Sequence, residues 1–258
     1  VTIGASNVVD VTLSEGVELS EVVVIGYGTV RKSDLTGSVS SVKGAEMVKI
    51  PFSSPTHALQ GKMAGVQVSS NSGAPGSNPT VRIRGVGTLN DASPIFVVDG
   101  VILNDMSFVN ANDIESIEVL KDASSTAIYG SRGANGVIIV TTKTGKSGEK
   151  VKVSFSTEYD VQYLQKYIDL LDGKEFATIV NQFNLSPGTF NNVNAVSNID
   201  WQRRVFDNYA AIQNHQLSVS GGSEKSTYYV SAGYFNQDGI IPKSGFEKIT
   251  FKINNRYQ

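Results

Sequence analysis

The chain of 258 residues has no cysteine and two histidines, which removes thiolate nucleophiles and disulfides and leaves little for a transition metal. His57 and His215 have no companion ligands at metal-site spacing and read as structural, so neither a metal nor a cofactor is expected. Val22-Val23-Val24-Ile25-Gly26-Tyr27-Gly28 imitates a strand entering a dinucleotide-binding turn. The glycine needed three residues after Gly28 is Arg31, however, and residues 32–41 show no amphipathic helix to receive a pyrophosphate. No Gly-x-Ser-x-Gly elbow occurs either, and the chain is not expected to be an enzyme. Arg82 and Arg84 share a face if they lie on a strand, where planar guanidiniums either pair with carboxylates or face water.

The elements that carry these residues change character along the chain. A strand end at 8–13 closes a small β-rich segment over 1–18, and Glu21-Val22-Val23-Val24-Ile25 is a β-branched run ended by Gly26-Tyr27-Gly28, which resists regular structure. From 34 to 145 the pattern is short elements and tight turns, as in a compact α+β domain. A short helix is predicted over 56–63 with Leu59 and Met63 on one face. Strands are predicted at 66–68, 94–98, 114–120 and 136–143, with an Asp99-Gly100 turn, and Asp122 is placed to cap a helix running to Tyr129. Val97, Val98, Ile117, Val119, Ile138 and Val140 are the predicted core. Gly145 to Gly148 reads as a hinge.

Beyond it the period becomes two. Val151, Val153, Phe155, Thr157, Tyr159 and Val161 alternate with Lys152, Ser154, Ser156, Glu158 and Asp160, and the same pattern recurs around Tyr234 and from Lys248 to Tyr257. Strands are predicted at 150–161, 212–221, 226–236 and 246–257, with a short turn at 221–225 and a long polar excursion over 163–211. Such strands fit a transmembrane barrel, with Tyr159, Tyr234 and Tyr257 toward lipid and Lys152, Glu158 and Lys252 toward the lumen. They equally fit a soluble antiparallel sandwich. No window approaches the roughly 18 apolar residues of a spanning helix, and a formal net charge of −2 gives no basic field for nucleic acid. The chain opens at Val1 without a methionine and stops at Gln258 after four such strands, too few to close a barrel, so it reads as a piece of a longer protein.

Several blocks, in order, resemble the plug of TonB-dependent receptors: Leu59-Gln60-Gly61-Lys62-Met63-Ala64-Gly65-Val66-Gln67-Val68, Ile83-Arg84-Gly85, Phe96-Val97-Val98-Asp99-Gly100-Val101, Ile114 through Ala123, and Ala127 through Ile138. Leu19 through Thr29 is similar to the Ton-box region of the SusC/RagA branch, and Gly221-Gly222-Ser223 and Tyr234 through Ile241 resemble its early barrel strands.

The resemblance implies an α+β plug domain (34–145) followed by antiparallel strands of a transmembrane β-barrel (146–258), about four of an expected 22. It places a Ton-box segment and linker at 19–33, after the end of an N-terminal extension (1–18). It implies TonB-dependent import of oligosaccharides or peptides across the outer membrane of a Gram-negative bacterium. The implied partners are TonB with ExbB–ExbD, a SusD-like surface lipoprotein, the cargo and outer-membrane lipid, with no nucleic acid. Glu21, Val22, Val23, Val24 and Ile25 would bind TonB by strand addition through backbone hydrogen bonds. Loops at 70–79, 86–93 and 102–108 would face outward, and their Asn71, Ser72, Thr88, Asn90, Asp91, Asn104 and Asp105 would hydrogen-bond sugar hydroxyls or peptide backbone. Arg82 and Arg84 would hold the plug to acidic residues of the barrel wall. The rival reading is a soluble β-rich binding or adhesion module with no transport role.

Overall fold

The structure is a computed structural model that describes residues 22–25, 28–31, 39–47, 52–88, 91–185 and 190–257. The expected 1–18 segment, Glu21 and Asn90 lie outside the described residues. At the start of the chain β1 (Val22–Ile25) pairs antiparallel with β2 (Gly28–Arg31). Gly28, expected to resist regular structure, thus opens a strand opposite Ile25.

The plug region forms seven short strands, of which the apolar runs at 95–98 and 137–140 are buried on both faces and the others are half-exposed or alternate. In sequence order they are β3 (Val39–Lys43), followed by the helical turn α1 (Gly44–Met47), then β4 (Val66–Ser69), β5 (Thr80–Ile83), β6 (Ile95–Val98), β7 (Val101–Leu103), β8 (Ile114–Leu120) and, after the turn α2 (Ala123–Thr126), β9 (Val137–Thr142). A mixed five-stranded sheet has the order β3-β8-β9-β6-β7, with β6 and β9 parallel and the other pairs antiparallel; β4 and β5 form a separate hairpin. Parallel strands covered on both faces favour continuous hydrophobic sequence, and Ile95–Val98 and Val137–Val140 supply it. All six predicted core residues are buried. They divide between two faces: Val98, Ile117, Val119, Ile138 and Val140 join Leu59, Met63 and Met106, while Val97 packs with Ile95, Val137 and Ile139. Asp99 (φ 48°) and Gly100 (φ 88°) make the tight turn from β6 to β7.

Two local predictions change. The helix predicted over 56–63 is a 3-10 helix, Pro55–Leu59, started by the Ser54 hydroxyl accepting from the Thr56 amide. Gly61 and Gly65, both at positive φ, carry the chain on in turns. Helix α2 does begin after Asp122, but that carboxylate makes no cap bond because it pairs with Arg84. The chain then continues as a 3-10 segment, Ala127–Gly133, broken at Gly130 (φ 59°, ψ −148°), rather than as an α-helix through Tyr129.

The period-two sequence forms β10 (Lys152–Gln162), β11 (Ala210–Gly222), β12 (Ser226–Asp238) and β13 (Gly245–Tyr257), a sequential antiparallel sheet close to the predicted spans. Register puts Lys152, Glu158, Gln216, Tyr229, Phe235, Lys248 and Lys252 on the face toward the plug, and Phe155, Tyr159, Leu217, Tyr234, Phe251 and Tyr257 on the other. The facing of all six named tyrosine and charged positions agrees with the sequence. The excursion between β10 and β11 is not simply polar coil. It holds α3 (Gly173–Phe183), closed at its start by an Asp172/Glu175 capping box, and α4 (Trp201–Val205), capped by Asp200. It also exposes Tyr163, Phe176, Phe183, Trp201 and Tyr209.

The expected hinge at 145–148 is instead stitched to the β11–β12 turn. Glu149 carbonyl accepts from the Gly222 amide at 3.0 Å, and Ser147 hydroxyl donates to Ser223 carbonyl at 3.1 Å. Gly145 runs so close to the strands that a Cβ there would lie 2.4 Å from Tyr228 carbonyl oxygen and 2.5 Å from that of Gly221. Backbone on that side cannot yield as a side chain would. Gly145→Ala is therefore expected to destabilise the junction by about 1–3 kcal/mol, the usual range for overpacking, measured as an earlier urea midpoint for loss of the compact, heat-modifiable band on gels.

Candidate functional site

The four-stranded wall holds the plug through polar side chains on its inner face. Asp113, only 3% exposed, accepts from Gln216 amide nitrogen (2.5 Å) and Tyr229 hydroxyl (2.9 Å). Next to it the wall is bare: a Cβ on Gly233 would lie 2.4 Å from Asn110 Nδ2, so glycine there lets the plug come in against the strand. Lys248 ammonium donates to the carbonyls of Ser53 (2.7 Å) and Ser107 (3.0 Å) from two plug loops and sits 5.9 Å from the Phe235 ring centroid. Lower on β13, Lys252 meets Asp99 at 3.4 Å; Asp99 also accepts from the Thr142 amide (2.9 Å) and hydroxyl (2.5 Å), fixing the β6–β7 turn. At the strand ends nearest the excursion, Gly76 amide donates to Gln237 Oε1 at 3.4 Å, and its φ of 73° with Phe246 packed against it leaves no room for a side chain.

The sequence predicts none of these contacts. Lys248 and Lys252 are visible in the sequence as polar members of an alternating run, but their partners lie 141 to 195 residues away. The two arginines that the sequence offers for this role, Arg82 and Arg84, make other contacts. Arg82 donates to Ser93 hydroxyl at 3.1 Å, and Arg84 pairs with Asp122. Both partners lie in the plug rather than the wall. Nor do the two arginines share a face by strand alternation, since β5 ends at Ile83 and Arg84 adopts φ 57°.

The loop candidates spread over three places. Asn71 donates to Thr80 hydroxyl at 2.6 Å, and Ser72 hydroxyl accepts from the Ala74 amide at 3.0 Å. Thr88 is half-buried. Asp91 accepts from the Ser93 amide at 2.9 Å, and hydrogen bonds from Ser93 hold its carboxyl below the ordinary range. Asn104 is exposed, and Asp105 accepts from the Ser107 amide (2.9 Å) and hydroxyl (2.6 Å). Of the set, Ser72 borders a cavity of about 480 Å³ between the 70–77 loop and the wall, shared with Phe52, His57, Asp160, Gln162 and Gln237. His57 stacks on Phe52 with centroids 5.3 Å apart. Burial pushes its imidazole pKa down, with the Ser54 carbonyl opposing weakly. Among the described residues no cluster of histidine or acidic side chains could hold a metal, and no helix is long and apolar enough to cross a membrane, which says nothing of strands.

The coupling candidate, β1, is paired along one edge by β2 and lies against β9. Among the described residues its other edge carries no strand.

Comparison with known proteins finds the TonB-dependent receptor plug domain over residues 31–137. TonB-dependent receptor P3 of Formosa agariphila is 48% identical over 98% of this chain and 25% of its own length. TonB-dependent receptor SusC of Bacteroides thetaiotaomicron is 42% identical over 92% of this chain and 24% of its own. The chain thus spans about a quarter of the length of these curated relatives. Among solved structures, a chain of the RagAB peptide importer in its open-open state superposes with a TM-score of 0.84 at 30% identity, covering 92% of this chain and 30% of that one.

The lowered His57 pKa has a stability consequence of fixed sign. Its folded value lies below the ordinary 6.5, so the neutral ring stabilises the fold above about pH 6.5, and that contribution is lost as pH falls from there through the folded pKa. Thermal midpoints measured from pH 7.5 to 5 should decline more for the wild type than for His57→Gln. Parallel declines would show that the ring is not desolvated.

Proposed function

Because the chain belongs to the SusC/RagA-like TonB-dependent receptors, combining their plug domain with opening barrel strands, we propose that it forms the gate and energy-coupling end of a nutrient importer in the outer membrane of a Gram-negative bacterium. In this reading residues 34–145 are the gate, the strands from 146 onward line the lumen, and Glu21 to Ile25 are the handle gripped by TonB, itself driven by ExbB–ExbD. The cargo is an oligosaccharide or a peptide, delivered beneath a SusD-like lipoprotein; RagAB, the structural relative, is described as a peptide importer.

One observation carries the reading: the plug is bonded to the inner face of a sheet whose outer face is greasy. Phe251 is 81% and Ile253 77% exposed, with Phe155, Leu217 and Val230 beside them. A water-soluble module would leave that patch without a partner, whereas a barrel strand with one lipid face and one wet face requires it. This disfavours the adhesion-module alternative. The handle reading is supported by the edge of β1 that carries no strand among the described residues, since strand addition draws affinity from backbone hydrogen bonds.

In a receptor of full family length, deleting residues 20–27 should abolish active uptake while leaving assembly and cargo binding nearly intact. Val23→Pro, which removes an amide donor and fixes φ, should approach the deletion, and Val23→Ala should keep most uptake. Uptake that survives the deletion would remove the handle assignment.

A further inference from the structure

The cavity of about 480 Å³ between the 70–77 loop and the wall holds a charge that its surroundings do not answer. Asp160 faces inward from β10, half-buried, and register sets it opposite Ile212 of β11, which lies opposite Gln237 of β12. Ile212 is apolar and 8% exposed, so it offers the carboxylate no cross-strand partner. Other charges on this face are engaged. Glu158 accepts from Asn214 Nδ2 at 3.0 Å, Lys248 donates to the Ser53 and Ser107 carbonyls, and Lys252 meets Asp99. Among the described residues the Asp160 carboxylate makes no hydrogen bond or ion pair, and no lysine or arginine lines the cavity.

The cavity is built rather than left over. Ser77 hydroxyl donates to the Ser72 carbonyl at 3.1 Å while Ser72 hydroxyl accepts from the Ala74 amide, so the loop braces itself. Its tip is then fastened across the strands: Gly76 amide donates to Gln237 Oε1, and Gln237 Nε2 donates to Gln162 Oε1 at 3.2 Å. On the plug side the lining is aromatic, where Phe52 and His57 stack with their rings 13° from parallel. The volume falls within the range of small-molecule pockets, about 300–1,000 Å³.

A half-buried carboxylate, an aromatic face and serine hydroxyls around one cavity suit an alkylammonium. The carboxylate answers the charge, the ring face attracts it through its quadrupole, and the oxygens accept its N–H bonds. An anionic group would meet Asp160 with no cation to offset it, and a neutral one would leave the carboxylate unmatched. We propose that this cavity is a cargo subsite for a primary ammonium group, with Asp160 as the counter-charge and the Phe52–His57 pair as the aromatic face. The proposal rests on the importer reading above and narrows its cargo to an amino-sugar oligomer or a peptide with a free amine.

Calorimetric titration of the full-length receptor in detergent with two pairs of probes tests it: a glucosamine tetramer against its N-acetylated form, and tetra-alanine amide against its N-acetylated form. In at least one pair the free amine should bind about tenfold or more tightly than its acetylated partner, and the pair that shows this tells amino sugar from peptide. Asp160→Asn should abolish the preference while leaving the acetylated probe nearly unaffected, and Asp160→Glu should keep most of it. The heat-modifiable band on gels verifies that each variant is assembled. No amine preference in either pair overturns the subsite. A preference that survives Asp160→Asn also overturns it, as does an equal loss of affinity for both members of a pair, the mark of a merely structural carboxylate. Failure of the importer reading is seen separately, as uptake unaffected by deletion of residues 20–27 whatever the amine preference.

Discussion

A carboxylate sealed between two protein surfaces must be satisfied by both or it destabilises each. Asp113 imposes that constraint here. It sits at the start of β8 with its backbone carbonyl bonded to the Lys143 amide, and its side chain takes donors from β11 and β12. Plug and wall are thereby locked in register from one residue, and both donors are neutral. Such a joint is held by directional hydrogen bonds and not by apolar burial. It can open into water with less penalty than a greasy interface, because each group regains a water partner. For the gating role proposed above, which needs a plug that seats firmly and still moves, that chemistry is apt.

The wall is the mirror case. Its outer face is largely apolar where its inner face is largely polar, and the alternation of β10–β13 produces both from one sequence. Glycine marks where the two bodies come closest: Gly233 beside Asn110, Gly76 beneath Phe246, and Gly145 against Gly221 and Tyr228. Polar bonds align the surfaces, and missing side chains let them touch. Opposite β3 (Val39–Lys43), where neither device occurs among the described residues, a cavity of about 730 Å³ remains.

Legibility in the sequence followed the range of the interactions. Residues 95–98 and 137–140 announced buried strands because their neighbours along the chain are enough to show it, and Asp99-Gly100 announced its own turn. The facing of Tyr159 and Lys252 came from period alone. What could not be read was pairing at a distance: Asp122 looked like a helix cap until Arg84, 38 residues away, claimed its carboxylate. Gly145 to Gly148 looked like a hinge because glycine permits both freedom and close approach, and only the presence of β11 and β12 decides between them. The substrate candidates illustrate the same limit, since asparagine and aspartate in loops serve local turns, as Asp91 and Asp105 do, as readily as they serve a ligand.

Polar pins across the interface, Asp113 first among them, hold plug to wall. A double-mutant cycle on Asp113→Ala and Tyr229→Phe in the assembled receptor, read by hydrogen exchange of the β8 and β9 amides, measures that coupling directly. An interaction of about 1–3 kcal/mol is expected, with the second substitution costing little once the first is made. Additive effects of the two substitutions would show that Asp113 and Tyr229 do not act as one joint and would contradict it.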